Sequence, residues 1–487
     1  MGSSAPRQRT TLVLVIVAAL LEHADEALLP AVYREVGAAL GASPAALGSL
    51  TLCRALAQAA CYPLAACAAA RHDRARVVAA GAVLWAVATL LVGASSTYVQ
   101  MAAARGFNGV GLALVVPAIY SLVADCSDDA TRGAAFGWLQ LALTMGYVVG
   151  GSLGVLLAPT AFLGVPGWRL AFLAVALLSA SLAALTWTFA ADPRPGSTKD
   201  AMATAAELFR EIKGVFRVPT FRIVVAQAVA GSVSMSALGF AAMWLELLGF
   251  THWETTVVTN LSYLAIALGA LCSGLVADRL ARRFPDAGRV ALAQASTAST
   301  VPLAAVLLLA LPGDPSAAAS YAAVFFALGF AASWCPAGTN NPILAEIVPE
   351  TARTTVYALD KSFESVFAAF GAPVVGVLAE RVFGYQPAAT AGASVEADRG
   401  NAAALGKAIF AAIAVPITVS CLAYTLLYWT YPADRQSAQM AALHAASGEL
   451  DGDSEASRVA SATAADGVNE ALLHYNPVQN TSGGITV

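Results

Sequence analysis

Along this chain, apolar residues come in runs of about twenty, separated by short breaks that are polar or rich in glycine and proline. A helix rises about 1.5 Å per residue, so some twenty apolar residues cover the hydrocarbon core of a bilayer. On that ruler the sequence predicts twelve membrane-spanning helices, at roughly residues 11–33, 45–70, 77–96, 100–124, 134–158, 170–190, 222–247, 255–277, 290–311, 320–343, 354–380 and 407–431. The predicted fold class is an all-α membrane protein built as two pseudo-symmetric six-helix bundles, 11–190 and 222–431, after a short N-terminal segment, 1–10. One break is long. Between 191 and 221, D-P-R-P-G-S is followed by A-A-E-L-F-R-E-I-K-G-V-F-R, whose apolar and charged residues alternate at helical spacing. An interfacial amphipathic helix and a flexible tether are both open readings of that linker. The tail, 432–487, is Ala, Ser, Asp and Gly with seven acidic residues against Arg435 and Arg458, and is predicted to be disordered.

Composition narrows the class further. Apolar residues make up 58% of the chain, charged residues 12%, and the mean hydropathy is +0.68, far from the balance of a soluble globular protein. The formal net charge of -4 hides basic residues clustered in certain loops and an acidic excess partly in the tail; in a chain this apolar no nucleic-acid partner is expected, and the bilayer is the expected one. Of the 27 Lys and Arg, 19 fall in the N-terminal segment, the even-numbered turns, the linker and the tail, against 5 on the opposite side and 3 inside spans. That asymmetry predicts that both termini are cytoplasmic. Plasma membrane and endomembrane are not distinguished. The N-terminus, M-G-S-S-A-P-R-Q-R-T, runs too quickly into a long span for a cleaved leader, so the first helix is expected to act as its own insertion signal. The seven cysteines form no C-x-x-C pair and no cluster with histidine at ligand spacing, so neither a metal nor a cofactor is expected.

A repeat supports the division into halves. Ala124 to Gln140 aligns without gaps to Ala345 to Lys361, matching Asp125 to Glu346, Asp129 to Glu350 and Arg132 to Arg353. Each copy is an acidic turn feeding a helix. Carriers assembled from such repeats hold their substrate site near the midplane, between the halves.

One stretch is more specific. Gly274 to Arg283 reads G-L-V-A-D-R-L-A-R-R, placed where one apolar run ends and before the next begins. It predicts a short basic turn between two spans. A positive-inside anchor accounts for Arg279, Arg282 and Arg283 but not for Gly274 and Asp278 at these offsets. The stretch resembles the signature loop of the major facilitator superfamily, G-x-x-x-D-R-x-x-R-R. Arg105-Gly-Phe-Asn-Gly109-Val-Gly111 is similar to the superfamily's R-x-x-x-G-x-G segment, and Trp168-Arg169 followed by Ala171-Phe172 to its usual start of span 6. The first-half copy of the signature, Ala65 to Arg76, keeps Arg71, Arg74 and Arg76 but has alanine at the acidic position. Gly146 to Gly154 resembles the glycine-rich antiporter segment, with Gly151 in place of its proline, and antiport is not inferred. Within the superfamily, Leu21-Glu-His-Ala-Asp25-Glu26 looks closest to the Spinster-like branch and to plant and algal facilitators. Asp25 fits that branch, whereas Glu26 stands where its arginine recurs. The resemblance implies the major facilitator fold and places Asp278 against the start of span 5 at Arg132, where it would favour the form closed on the cytoplasmic side.

Ionisable groups inside spans are costly, about 2.5–3.5 kcal/mol each on insertion scales, and usually face a cavity and a partner. Span 1 carries Glu22, His23, Asp25 and Glu26, and the spacing predicts all three carboxylates near one face. Arg54 in span 2 lies at a depth similar to that of Asp25, and Arg105 in span 4 lies somewhat higher. Asp360, Lys361 and Glu364 lie in the inner half of span 11. Crowded acids cannot all ionise cheaply, which suits a proton-coupled carrier, and Asp25 with Arg54 or Arg105 is the expected coupling pair. A buried ion pair that only locks helices together is the competing reading. For Asp360, Lys361 and Glu364, position in a water-filled vestibule is the simpler account.

These observations point to a secondary transporter working by alternating access on a small organic or lipid-like solute, with protons as a candidate coupling ion and a monomer as the expected state. No nucleotide cradle and no nucleophile with its base are present, so an enzyme is not expected. A transporter-like receptor or scaffold without net transport is the alternative.

Overall fold

The structure is a computed structural model that describes residues 4–126, 132–193, 210, 212–348, 353–386 and 395–473, and in it the apolar runs are helices. The first half comprises α1 (Ser4–Ala31), the short α2 (Tyr33–Leu40), α3 (Pro44–Arg71), α4 (Arg74–Ala94), α5 (Tyr98–Asp125), α6 (Arg132–Leu157) and α7 (Gly167–Phe189). The second comprises α8 (Pro219–Ala237), α9 (Ala241–Leu247), α10 (His252–Arg283), α11 (Gly288–Ala305), α12 (Ala318–Ala332), α13 (Asn341–Glu346), α14 (Arg353–Ala368), α15 (Gly371–Val377) and α16 (Val395–Leu473). The breaks carry the chemistry that starts helices. Ser43 accepts from the Ala46 N–H with Pro44 at the first helical position, and Thr251 and Glu254 form a reciprocal capping box at the start of α10.

Ten helices among the described residues are long and apolar enough to cross a membrane, and α2 with α3, bent by 109°, make an eleventh candidate. This is an integral, multi-pass membrane protein. α1 has 28 residues, about 42 Å at the usual rise, and stands apart from the ten by carrying Glu22, Asp25 and Glu26.

Three local expectations are corrected. The stretch Gly274–Arg283 is not a turn: α10 continues through Arg283, and the turn is Phe284–Ala287. Charged side chains carry the helix beyond the apolar run, with Arg282 bonding the Asp278 carbonyl at 3.3 Å and basic residues favoured at a helix C-terminus. Span 10 is broken by a π-helical stretch, Cys335–Asn340, rather than running straight to 343. Finally, the tail expected to be disordered is helical as far as Leu473, continuous with the last span. It is rich in alanine, the strongest helix former. Of the linker, 194–209 and 211 lie outside the described residues; 210 and 212–215, the end of the stretch read as an amphipathic helix or a tether, are helical.

Packing follows one plan in both halves. α1 packs on α6 and α7, α5 on α3 and α4, and α4 on α7; likewise α8 packs on α14 and α16, α12 on α10 and α11, and α11 on α16. The halves meet through α3 against α15 and α6 against α10. That junction lies at the end of the molecule opposite the N-terminus. A Cβ on Gly48 would strike the Ala372 and Pro373 backbone, and one on Gly376 would strike that of Pro44 and Ala45, so only glycine permits the approach. The Ala45 N–H donates to Glu380 at 2.6 Å, Asn260 donates to Ser152 at 2.9 Å, and Arg34 joins Asp398 at 3.0 Å. At the opposite end, among the described residues, Arg74 pairs with Asp125 of its own half and with Asp192 just beyond α7, and Arg289 pairs with Asp278 and Glu346 of its own half.

Candidate functional site

Glycines bring the charged residues together. On α5, a Cβ at Gly109 would strike the Arg54 carbonyl and one at Gly111 would crowd Trp85, so the R-x-x-x-G-x-G segment seats α5 on α3 and α4. On α6, a Cβ at Gly146 would strike Leu20 and His23, and one at Gly150 would strike Ala24. The glycine-rich segment therefore packs against the acidic turn of α1, with no reference to transport direction.

The three carboxylates of α1 do not share a face. Glu22 and Glu26 are four residues apart and project together, whereas Asp25 is turned about 100° from Glu26. Asp25 points between α4 and α5 and is fully buried. It accepts from the Thr89 hydroxyl at 2.7 Å and from Asn108 Nδ2 at 3.2 Å, and lies 3.6 Å from Arg105 Nη1. Arg105 is itself 1% exposed. Glu26 instead takes Arg54 by a short ion pair and the Tyr147 hydroxyl at 2.8 Å. Glu22 pairs with His23, whose ring packs edge-on against Tyr147. The Tyr147 ring stacks on Tyr263 of the second half, with centroids 5.7 Å apart.

Two donors on each arginine, Nε and Nη1 of Arg54 and of Arg105, are buried without a hydrogen bond. Buried donors are usually satisfied, so the free Nε and Nη1 of Arg54 mark a place where an acceptor belongs, whereas Arg105 Nη1 already faces Asp25 at 3.6 Å. Thr89, Asn108, Tyr147 and Tyr263 complete the network and were not singled out from sequence. Asn108 lies within the Arg105–Gly111 segment, one turn from Arg105; an isolated tyrosine in an apolar span gives no comparable signal.

The remaining candidates lie elsewhere. Asp360 is 1% exposed with neither carboxylate oxygen hydrogen-bonded, whereas Lys361 and Glu364 pair with each other at 2.5 Å on a more open face. A water-filled vestibule does not account for Asp360, which is sealed from solvent. At the end of α10, Asp278 is exposed and bonds Arg289 at 3.2 Å. The side chain of Arg132, its expected neighbour, lies outside the described residues.

The chain is similar in sequence and in fold to known membrane transporters. An efflux pump of the major facilitator type from Mycolicibacterium smegmatis is 29% identical over 368 residues, 74% of this chain and 78% of the pump. The crystal structure of a bacterial homolog to the human lysosomal transporter Spinster, inward-facing and unoccupied, superposes with a TM-score of 0.76 at 19% identity, covering 88% of this chain and 98% of that one. A D-xylose-proton symporter superposes with a TM-score of 0.63 at 17% identity, over 86% and 97%. The sequence profile of the Major Facilitator Superfamily matches residues 15–372, most of the helical region described above. The chain belongs to the Major Facilitator Superfamily.

Proposed function

We propose that this membrane transporter is a proton-coupled secondary carrier, acting as a monomer by alternating access, in which Glu26 and Arg54 couple the proton to the movement of the halves. With α1 counted as a span there are twelve, in two pseudo-symmetric bundles, which the recurrence of the same helix pairings in both halves supports, and the bias of Lys and Arg to alternate breaks supports both termini being cytoplasmic. In that orientation the closed end is the outer one, and the conformation is inward-facing. The observation that carries the coupling reading is the chain Arg54, Glu26, Tyr147, Tyr263, which runs from α3 through α1 and α6 to α10 of the other half. Glu26 is 29% exposed at its side chain, open to a proton, whereas Asp25 is sealed among neutral donors and Arg105. Glu26 thus takes the role expected of Asp25. Protonating it releases Arg54 and weakens the hold on Tyr147, and so on the contact to the second half.

The unpaired N–H groups of Arg54 support a solute carrying an acceptor group, and the apolar helices around it support a lipid-like or aromatic body. The test uses proteoliposomes loaded with a pH-sensitive dye and challenged with lysophospholipids, aromatic acids and amphipathic amines. Solute-driven proton movement that Glu26→Gln abolishes is expected. A protein that binds one of these solutes and moves neither solute nor protons is a receptor, and full gradient-driven transport by Glu26→Gln ends the coupling assignment.

A further inference from the structure

The closed end holds a second cluster of charge that the central network does not use. Glu35 on α2, Glu246 in α9 and His252 at the start of α10 bring one ligand atom each to within 4.8 Å of one another. Glu35 lies far along the chain from Glu246 and His252, which are six residues apart, so no spacing rule shows the three together, and they come from both halves. His252 Nδ1 lies 2.9 Å from Glu246 Oε1. Glu246 is 3% exposed, and its Oε2 is buried with no hydrogen-bond partner; Oε2 of Glu35 is in the same state. The nearby arginine is otherwise engaged. Arg34 donates from Nη1 to the Glu246 main-chain oxygen at 3.1 Å and from Nη2 to Asp398 at 3.0 Å.

Two carboxylates therefore face each other with orphaned oxygens, and buried carboxylates need a compensating charge. A divalent cation supplies it from within the same space. One imidazole nitrogen and two carboxylate oxygens are donors that zinc accepts, and three protein ligands leave a position for water. Bond lengths of about 2.0–2.2 Å would need the side chains to draw in by roughly an ångström. His252 is 31% exposed at its side chain, which gives the metal a way in from solvent.

We propose that Glu35, Glu246 and His252 form a zinc site that bridges the two halves at their closed end. Bound zinc ties α2 to α9 and α10 and holds that end shut, so it stabilises one conformation of the transport cycle over the other. The test uses the full chain in lipid nanodiscs, titrated with zinc alone. Wild-type protein is expected to bind one tight equivalent, to melt at higher temperature with zinc than without it, and to narrow a spin-label distance distribution across the closed end. Glu35→Gln and His252→Gln are expected to lose that equivalent and both zinc responses. The buried Glu246 is left intact, and Glu35→Ala replaces Glu35→Gln if the latter is not recovered folded. Absence of a tight equivalent, or its retention in both variants, overturns the site.

Discussion

Removing the charge of Asp25 should damage the fold rather than the coupling. Asp25 and Arg105 are fully or almost fully buried with 3.6 Å between Oδ2 and Nη1. At that separation, and at the effective dielectric of about 20 that suits protein sites, two unit charges attract by about 5 kcal/mol. Asp25→Asn keeps a side-chain oxygen for the Thr89 hydroxyl but strands the Arg105 guanidinium, whose Nε already lacks a hydrogen-bond acceptor. The expected loss is about 3–5 kcal/mol, the range for breaking a buried pair by removing one member. Arg105→Met should cost less, because Asp25 retains its bonds from Thr89 and Asn108, and the double variant should recover most of the loss. The assay is equilibrium unfolding of the purified single and double variants in mixed micelles, read as a double-mutant cycle. A loss under about 1 kcal/mol for Asp25→Asn, with a coupling energy under about 1 kcal/mol, would refute the assignment of this pair to architecture.

Three further outcomes are expected. Gly376→Val drives a side chain into the Pro44 and Ala45 backbone, an overpacking cost of about 1–3 kcal/mol borne only while the halves touch there. Spin-label distances across the closed end should then show a shift of roughly 5- to 150-fold toward the open form, and an unchanged distribution would contradict the packing. Asp278→Asn removes an exposed pair worth about 0.2–1 kcal/mol at most, so thermal stability should hold while the ratio of the two conformations moves; a large fall in melting temperature would place Asp278 in the fold instead. Burial pushes the Cys126 thiol up to about 11, with the Asp192 carboxylate adding to the effect against Arg74. In a variant keeping only that cysteine, maleimide labelling should be slow at pH 7.5 and rise about tenfold per pH unit toward 11, and fast labelling at neutral pH would show the site to be open.

The fold was legible because bilayer physics acts on residues one segment at a time. Twenty apolar positions in a row, a break, and a bias of arginine to alternate breaks need no knowledge of which helices touch. The same locality explains what was misread. Gly274 to Arg283 looks like a turn because hydropathy falls at Asp278, yet hydropathy reports depth in the bilayer, not backbone conformation, and the helix continues into water. The acids of α1 were legible as costly, and their partners in α3 and α5 as arginines at suitable depth. Which acid takes which arginine was not legible. That choice rests on a rotation of about 100° between Asp25 and Glu26 and on where Gly109, Gly111, Gly146 and Gly150 let α5 and α6 close on their neighbours. Span 1 presents two adjacent acids to two arginines, and packing alone assigns one acid to the sealed interior and the other to the face that meets Tyr147 and Tyr263. The proposed division of labour rests on that assignment: Asp25 is sealed with Thr89, Asn108 and Arg105, whereas Glu26 bonds Tyr147, whose ring stacks on Tyr263 of the opposite half.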